Sequence, residues 1–183
     1  MRGSSLLRRI DWLTVLLYGL LVFFGWINIY STTLSDPSLS LFSLSTLYGK
    51  QLFFIGVSLV AILLILFVDS NFFESFAGVF YVAGLVLLIG LFPFGKTLGG
   101  ATSWYDLGFM NLQPSEFAKV ATALALAKYL SDIQTDIKNG KHQIYAILII
   151  LIPVILIFPQ PDPGSALVFF ALFFVLFLSL IHI

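Results

Sequence analysis

The chain has 183 residues, of which 60% are hydrophobic and only 10% carry a charge. A soluble domain holds roughly 25% charged residues, so this composition excludes a fold whose whole surface faces water. Nine basic and nine acidic residues cancel to a net charge of zero, with no basic stripe for nucleic acid, and the absence of cysteine removes disulfides and thiol chemistry.

The apolar residues fall in long blocks. A helix needs about 20 mostly apolar residues to cross the hydrocarbon. Lipid offers no partner to a free N–H or C=O, so such blocks must be helical. Strands of a membrane barrel would be about 10 residues long and alternate apolar with polar, which this chain does not do. The expected fold class is therefore all-α, a polytopic transmembrane bundle of roughly six spans.

Arg2, Arg8 and Arg9 precede the first span, residues 12–30, which is longer than the roughly 7–15 residues of a signal-peptide core and is followed by no small-residue cleavage site. It reads as a retained helix. A Ser-rich stretch around Asp36 and Pro37 is expected at the membrane surface. The second span, residues 51–68, ends at a turn, Asp69–Ser70–Asn71, that also takes in Glu74. The third, residues 76–94, ends at Pro93 and the glycine-rich loop Gly95–Lys96–Thr97–Leu98–Gly99–Gly100. Pro114 suits the first turn of the fourth span, residues 114–130, where its missing N–H costs nothing. That span is less apolar, and Ala118, Ala121, Ala123, Ala125 and Ala127 would let other helices approach closely. The fifth span, residues 144–158, carries Pro153 in its interior and is expected to kink there. The sixth, residues 165–183, stays apolar to the last residue, with no basic flank or tail. The expectation is an incomplete chain, with residues 1–183 forming the N-terminal part of a single transmembrane domain.

Charge sets the expected orientation. With the N-terminus in the cytoplasm, Arg2, Arg8, Arg9, Lys128, Lys138 and Lys141 lie inside and Lys50 and Lys96 outside, a bias of six to two that follows the positive-inside rule. Trp12, Trp26, Tyr30, Tyr48, Trp104 and Tyr105 fall near the interfaces, as an aromatic belt requires.

Three stretches could carry chemistry. In Gln113–Pro114–Ser115–Glu116–Phe117–Ala118–Lys119, Glu116 and Lys119 share a helix face and can pair. They form either an internal ion pair or part of a substrate or ion site, since ionisable residues in membrane helices face protein or a watery cavity. In Phe158–Pro159–Gln160–Pro161–Asp162–Pro163–Gly164–Ser165, three prolines and a glycine break the backbone, and Asp162 can cap the sixth helix. Both stretches fall at the outer end, so Gln113, Glu116, Gln160 and Asp162 could converge there to hold the polar headgroup of a lipid-tailed molecule. In Gly99–Gly100–Ala101–Thr102–Ser103–Trp104–Tyr105–Asp106–Leu107–Gly108, the glycines suit tight turns, and Trp104 and Tyr105 suit interface anchoring. The lysine and strand context of a phosphate-binding P-loop are absent. His142 and His182, 40 residues apart, make no metal-ligand pattern.

Residues 99–108, with Leu112–Gln113–Pro114–Ser115–Glu116–Phe117–Ala118–Lys119 and Gln160–Pro161–Asp162–Pro163–Gly164–Ser165–Ala166–Leu167, closely resemble the SEDS family of bacterial shape, elongation, division and sporulation proteins. The resemblance covers the whole chain. Asp106–Leu107–Gly108 and the short N-terminal tail look more like the RodA-type elongation branch than the FtsW division branch. Two departures stand out: Ser103 replaces an arginine usual before the tryptophan, and Pro163 and Ser165 stand where leucine and threonine are usual.

The resemblance implies a ten-helix fold in the bacterial plasma membrane. It also implies peptidoglycan glycosyltransferase activity that polymerises lipid II beside a class B penicillin-binding protein. The family's catalytic aspartate lies in an outer loop beyond the sixth helix, so no catalytic residue is assigned and the fragment alone is expected to be inactive. Gln113, Glu116, Lys119, Gln160 and Asp162 are expected to support the substrate cavity, with Gly100, Trp104 and Gly108 in the outer-loop motif. A divalent cation is expected only near the pyrophosphate in the full-length enzyme, with no metal or other cofactor site visible in this half. Two alternatives stay open: a transporter or flippase for the same lipid-linked precursor, and a scaffold that docks a penicillin-binding protein.

Overall fold

A computed structural model describes residues 11–33, 42–132 and 139–182, with side chains described through Val175. Arg2, Arg8, Arg9, Lys138 and the Ser-rich stretch around Asp36 and Pro37 lie outside the described residues. The chain forms α1 (Trp12–Thr33), α2 (Leu47–Phe67), α3 (Ser70–Phe94), β1 (Lys96–Leu98), β2 (Ala101–Asp106), β3 (Asn111–Leu112), α4 (Pro114–Ser131), α5 (Gly140–Ile157) and α6 (Pro163–His182). It divides into two units, Met1–Val68 and Asp69–Ile183.

The expected helical membrane protein is what folds. Helices α1, α2, α3 and α5 are each long and apolar enough to cross a membrane, and α6 is apolar through its described part, Pro163–Val175. The chain is thus a multi-pass membrane protein. Helix α4 is the exception in hydropathy, as its alanines and Lys119 foretold. Helices α2, α3, α5 and α6 begin earlier than the hydropathy blocks, while α1 and α4 begin at the expected residues. Thr46 caps α2 through the Gly49 N–H (3.2 Å), and Asp69 caps α3 through the Asn71 N–H (3.2 Å). Asp69 is thus a cap rather than the centre of a turn. Ser70, Asn71 and Glu74 belong to α3.

In the first unit, α1 and α2 meet through aromatic side chains. The Trp26 indole N–H donates to the Tyr48 carbonyl (3.1 Å), Trp26 stacks on Tyr30, and Tyr30 meets Tyr48 edge-on. Asp11 caps α1 by accepting from the Leu13 and Thr14 N–H groups.

In the second unit, the core is Leu88 and Leu91 of α3, Ala118 and Leu126 of α4, Ala146, Ile150 and Ile157 of α5, and Phe169 of α6. Helices α3 and α4 approach closely because Gly84 faces Ala118 and Ala121. A Cβ on Gly84 would sit 3.4 Å from the Ala118 Cα and 3.6 Å from the Ala121 Cβ. This is the small-residue packing that membrane helices use in place of a hydrophobic driving force.

Pro153 is buried within α5, and the helix runs through it from Gly140 to Ile157. Proline has no N–H, so the carbonyl four residues back, that of Ile149, loses its helical donor. The Tyr81 hydroxyl of α3 supplies the replacement at 2.9 Å. Tyr81→Phe should therefore cost about 1–3 kcal/mol, the penalty for a buried acceptor left alone. In a Pro153→Ala background, where a backbone N–H is again available to the Ile149 carbonyl, the same change should cost clearly less. Thermal unfolding of the unsubstituted protein, the two single variants and the double variant in detergent checks this, and equal costs in both backgrounds would refute it.

Candidate functional site

The site lies at the end of the second unit where α3 stops, α4 and α6 start, and the small sheet sits. The sheet, of order β1–β2–β3, was not foreseen in an otherwise helical chain. Its signal was present: Gly99 and Gly100 take φ of +60° and +88°, and two consecutive positive-φ residues make the type I′ turn that suits a two-residue hairpin. Gly108, at φ +82°, closes the next turn. In β2, Ser103 is buried, while Trp104 is partly buried and lies in register with Lys96.

Tyr105 anchors the hairpin to the helices. Its hydroxyl donates to the Leu87 carbonyl (2.8 Å), and a Cβ on Gly90 would collide with that hydroxyl. Burial raises the phenol above its ordinary 10.0. Tyr105 therefore turns inward rather than anchoring outward at the interface. Beyond it, Asp106 pairs with Lys96 and accepts from the Gly108 N–H (2.9 Å). The hydrogen bond from Lys96 holds the Asp106 carboxyl below 3.8, aided by the Gly108 N–H and the nearby ammonium charge.

From β3 the chain enters α4 through Gln113 and Pro114. Gln113 makes no cap for its own helix. Its side-chain amide instead donates to Asp162 Oδ2 at 2.7 Å, across to the start of α6. Asp162 Oδ1 accepts from the Ser165 N–H (3.1 Å), so the carboxylate caps α6 as expected. One turn deeper, the buried hydroxyls of Ser115 and Ser165 meet at 3.1 Å. The starts of α4 and α6 are thus joined by a polar seam inside an apolar unit.

The other expected residues are placed differently. Lys119 Nζ binds Glu116 Oε1 at 2.7 Å, with the Glu116 side chain 59% exposed and that of Lys119 only 18%. The pair forms as expected, and both partners stay on α4. Gln160 is buried, and its amide donates to the carbonyls of Leu156 (3.0 Å) and, more weakly, Leu88 (3.4 Å). It thus closes the end of α5 rather than meeting either carboxylate. Its Oε1 and the Thr122 hydroxyl are buried without a partner among the described residues. Gly100 and Gly108 serve the turns.

Sequence reasoning missed the Ser115–Ser165 contact and the inward turn of Tyr105. Only the alternation of β2 could have signalled the latter. Among the described residues no three His, Cys, Asp or Glu side chains gather. Asp162 and Glu116 are already engaged by Gln113, Ser165 and Lys119.

The sequence matches the FTSW_RODA_SPOVE family, described as "Cell cycle protein", over residues 11–183. It is 30% identical over 162 residues to "Probable peptidoglycan glycosyltransferase FtsW" of Thiomicrospira cyclica, covering 87% of this chain and 41% of that protein. A solved structure described as "Structural coordination of polymerization and crosslinking by a peptidoglycan synthase complex" is similar at 32% identity with a TM-score of 0.78, covering 93% of this chain and 48% of that one. The rod shape determining protein RodA of Thermus thermophilus is similar at 32% identity with a TM-score of 0.73, covering 88% and 50%. The chain thus spans about half the length of these relatives or less.

Gln113→Ala and Asp162→Ala should each lower stability, and a double-mutant cycle should show coupling of about 0.5–3 kcal/mol; additive losses would mean the contact does nothing. Because the Asp106 carboxyl is depressed, its stabilisation is fully present above pH 3.8 and is lost as pH falls through the lower folded-state value. Carboxyl NMR should show Asp106 titrating below an ordinary aspartate, and Lys96→Met should move that midpoint upward.

Proposed function

The chain belongs to the FtsW/RodA/SpoVE family of cell cycle proteins, and on that premise we propose that it is the N-terminal part of a peptidoglycan glycosyltransferase that polymerises lipid II during cell elongation. The observation that carries this reading is the Gln113–Asp162 hydrogen bond, which joins two distant motifs at one polar place on an apolar unit. A substrate with a disaccharide-pyrophosphate head and an undecaprenyl tail needs such a place, where the head finds polar groups while the tail stays in lipid.

In this reading each residue has a limited task. Asp162, oriented by Gln113 and the Ser165 N–H, offers a fixed acceptor to sugar hydroxyls. Lys119, held by Glu116, offers a cation to the pyrophosphate. Gln160 keeps the end of α5 closed beside them. None is assigned as nucleophile or general base, a role left to a part of the enzyme outside this chain. Residues 1–183 form part of one larger transmembrane domain in this reading.

Asp106–Leu107–Gly108 supports the elongation branch. Likeness to a peptidoglycan synthase complex supports a class B penicillin-binding protein as partner. The six-to-two bias of basic residues supports a bacterial plasma-membrane protein with a cytoplasmic N-terminus.

The test is glycan-strand formation from lipid II by the longer protein carrying this sequence, with its penicillin-binding partner. Asp162→Asn and Glu116→Gln, in protein that remains folded, should each lower polymerisation by about tenfold or more, equivalent to about 1.4 kcal/mol of barrier. Undiminished polymer from both variants would remove these residues from the substrate site. Absence of polymer from the unsubstituted protein would overturn the enzyme assignment.

A further inference from the structure

With Tyr105 turned inward, the hairpin's outward apolar side chains lie in the turn that follows β2. Leu107 is 49% exposed and Phe109 68% exposed. Two large apolar side chains at the tip of a polar loop are costly in water, each forfeiting the favourable transfer that burial would bring. The tip is held firmly rather than frayed. The Gly108 N–H donates to Asp106 Oδ1 (2.9 Å), the Leu107 N–H donates to the Met110 carbonyl (3.0 Å), and Gly108 supplies the left-handed conformation. Immediately behind it stands the exposed Lys96–Asp106 ion pair. The loop is amphiphilic by construction, with an apolar tip and a charged collar.

Its place along the chain says what covers the tip. The loop joins the C-terminal end of α3, a membrane-crossing helix ending at Phe94, to the start of α4 at Pro114. It therefore sits where the chain leaves the hydrocarbon. Phe94 and Phe117 on the flanking helices are also exposed, at 76% and 54%, so apolar surface borders the loop on both sides.

We propose that the Leu107–Gly108–Phe109–Met110 turn is a membrane-interface anchor whose partner is the bilayer itself. Leu107 and Phe109 enter the boundary between headgroups and acyl chains, and Lys96 and Asp106 stay among the headgroups. The consequence is positional: β3 leads directly into Gln113, so anchoring the turn holds Gln113 and its partner Asp162 near headgroup depth. The inference rests on the chain's being a membrane protein and is independent of the glycosyltransferase reading.

The chain contains no cysteine, so a single introduced one can carry a nitroxide label. Phe109→Cys, Leu107→Cys and, as a polar reference on β1, Thr97→Cys are labelled in the chain reconstituted in lipid nanodiscs. Power-saturation measurements then compare access of oxygen, which partitions into lipid, with that of a water-soluble nickel chelate. Labels at 107 and 109 should show an oxygen-to-chelate ratio several-fold above that at 97. A ratio equal to that at 97 would place the tip no deeper than the charged collar. Labels shielded from both reagents would mean that protein covers the tip. Either result overturns the proposal, and the two labelled positions guard against a local effect of one substitution.

Discussion

Every backbone donor and acceptor in the hydrocarbon must find a partner inside the protein, because lipid supplies none. The bond from the Tyr81 hydroxyl to the Ile149 carbonyl is the clearest expression of that rule here. Pro153 removes one helical donor in the middle of α5, and a side chain from α3 replaces it. The same accounting recurs at the end of α5, where the Gln160 N–H turns to the Ile157 carbonyl (2.9 Å) and the Gln160 side-chain amide takes up the Leu156 carbonyl (3.0 Å). Tyr105 also brings its hydroxyl to a helical carbonyl, that of Leu87 (2.8 Å). These side chains fix α3 against α5 and the hairpin against α3, and so the end of the unit at which the polar residues collect.

Close helix approach makes that accounting feasible. Gly84 against Ala118 and Ala121 brings the α3 and α4 backbones together, and α4 gives up hydropathy to do so. Its apolar residues are small rather than absent. Ser115, Glu116 and Lys119 fall in its first two turns, where Pro114 starts the helix and Gln113 is released from capping it. A more apolar α4 would span the bilayer alone more readily but could not present Ser115 and Gln113 to α6.

The polar seam combines two requirements. Asp162 satisfies the start of α6 and is favoured there by the helix dipole, while its second oxygen is tied to another helix. A carboxylate held from both sides keeps its position without a counter-cation beside it. Glu116 and Lys119 form a separate pair, more exposed on the acid than on the base. Cation and carboxylate are therefore presented from different helices at one end of an apolar unit, an arrangement suited to an amphiphile.

Membrane character, helical class, the order of the apolar segments, the Glu116–Lys119 pair and the Asp162 cap were all legible in the residues. Each depends on composition or on contacts within a few positions, and the motifs that belong to the family are equally local. The start of α3 was misread, because Asp69 as a cap and Asp69 as a turn look alike until the helix is seen. The turn glycines were visible but the sheet was not, since short strands without a long alternating run leave little periodicity. The convergence of Gln113 and Asp162 was expected from their motifs, but other contacts between residues far apart emerged only from the folded chain: Ser115 with Ser165, Tyr81 with Ile149, and Gln160 with Leu88 instead of a carboxylate. Each depends on which helix faces which, and that is set by small-residue packing and by the demand of unpaired carbonyls, neither of which has a period along the chain.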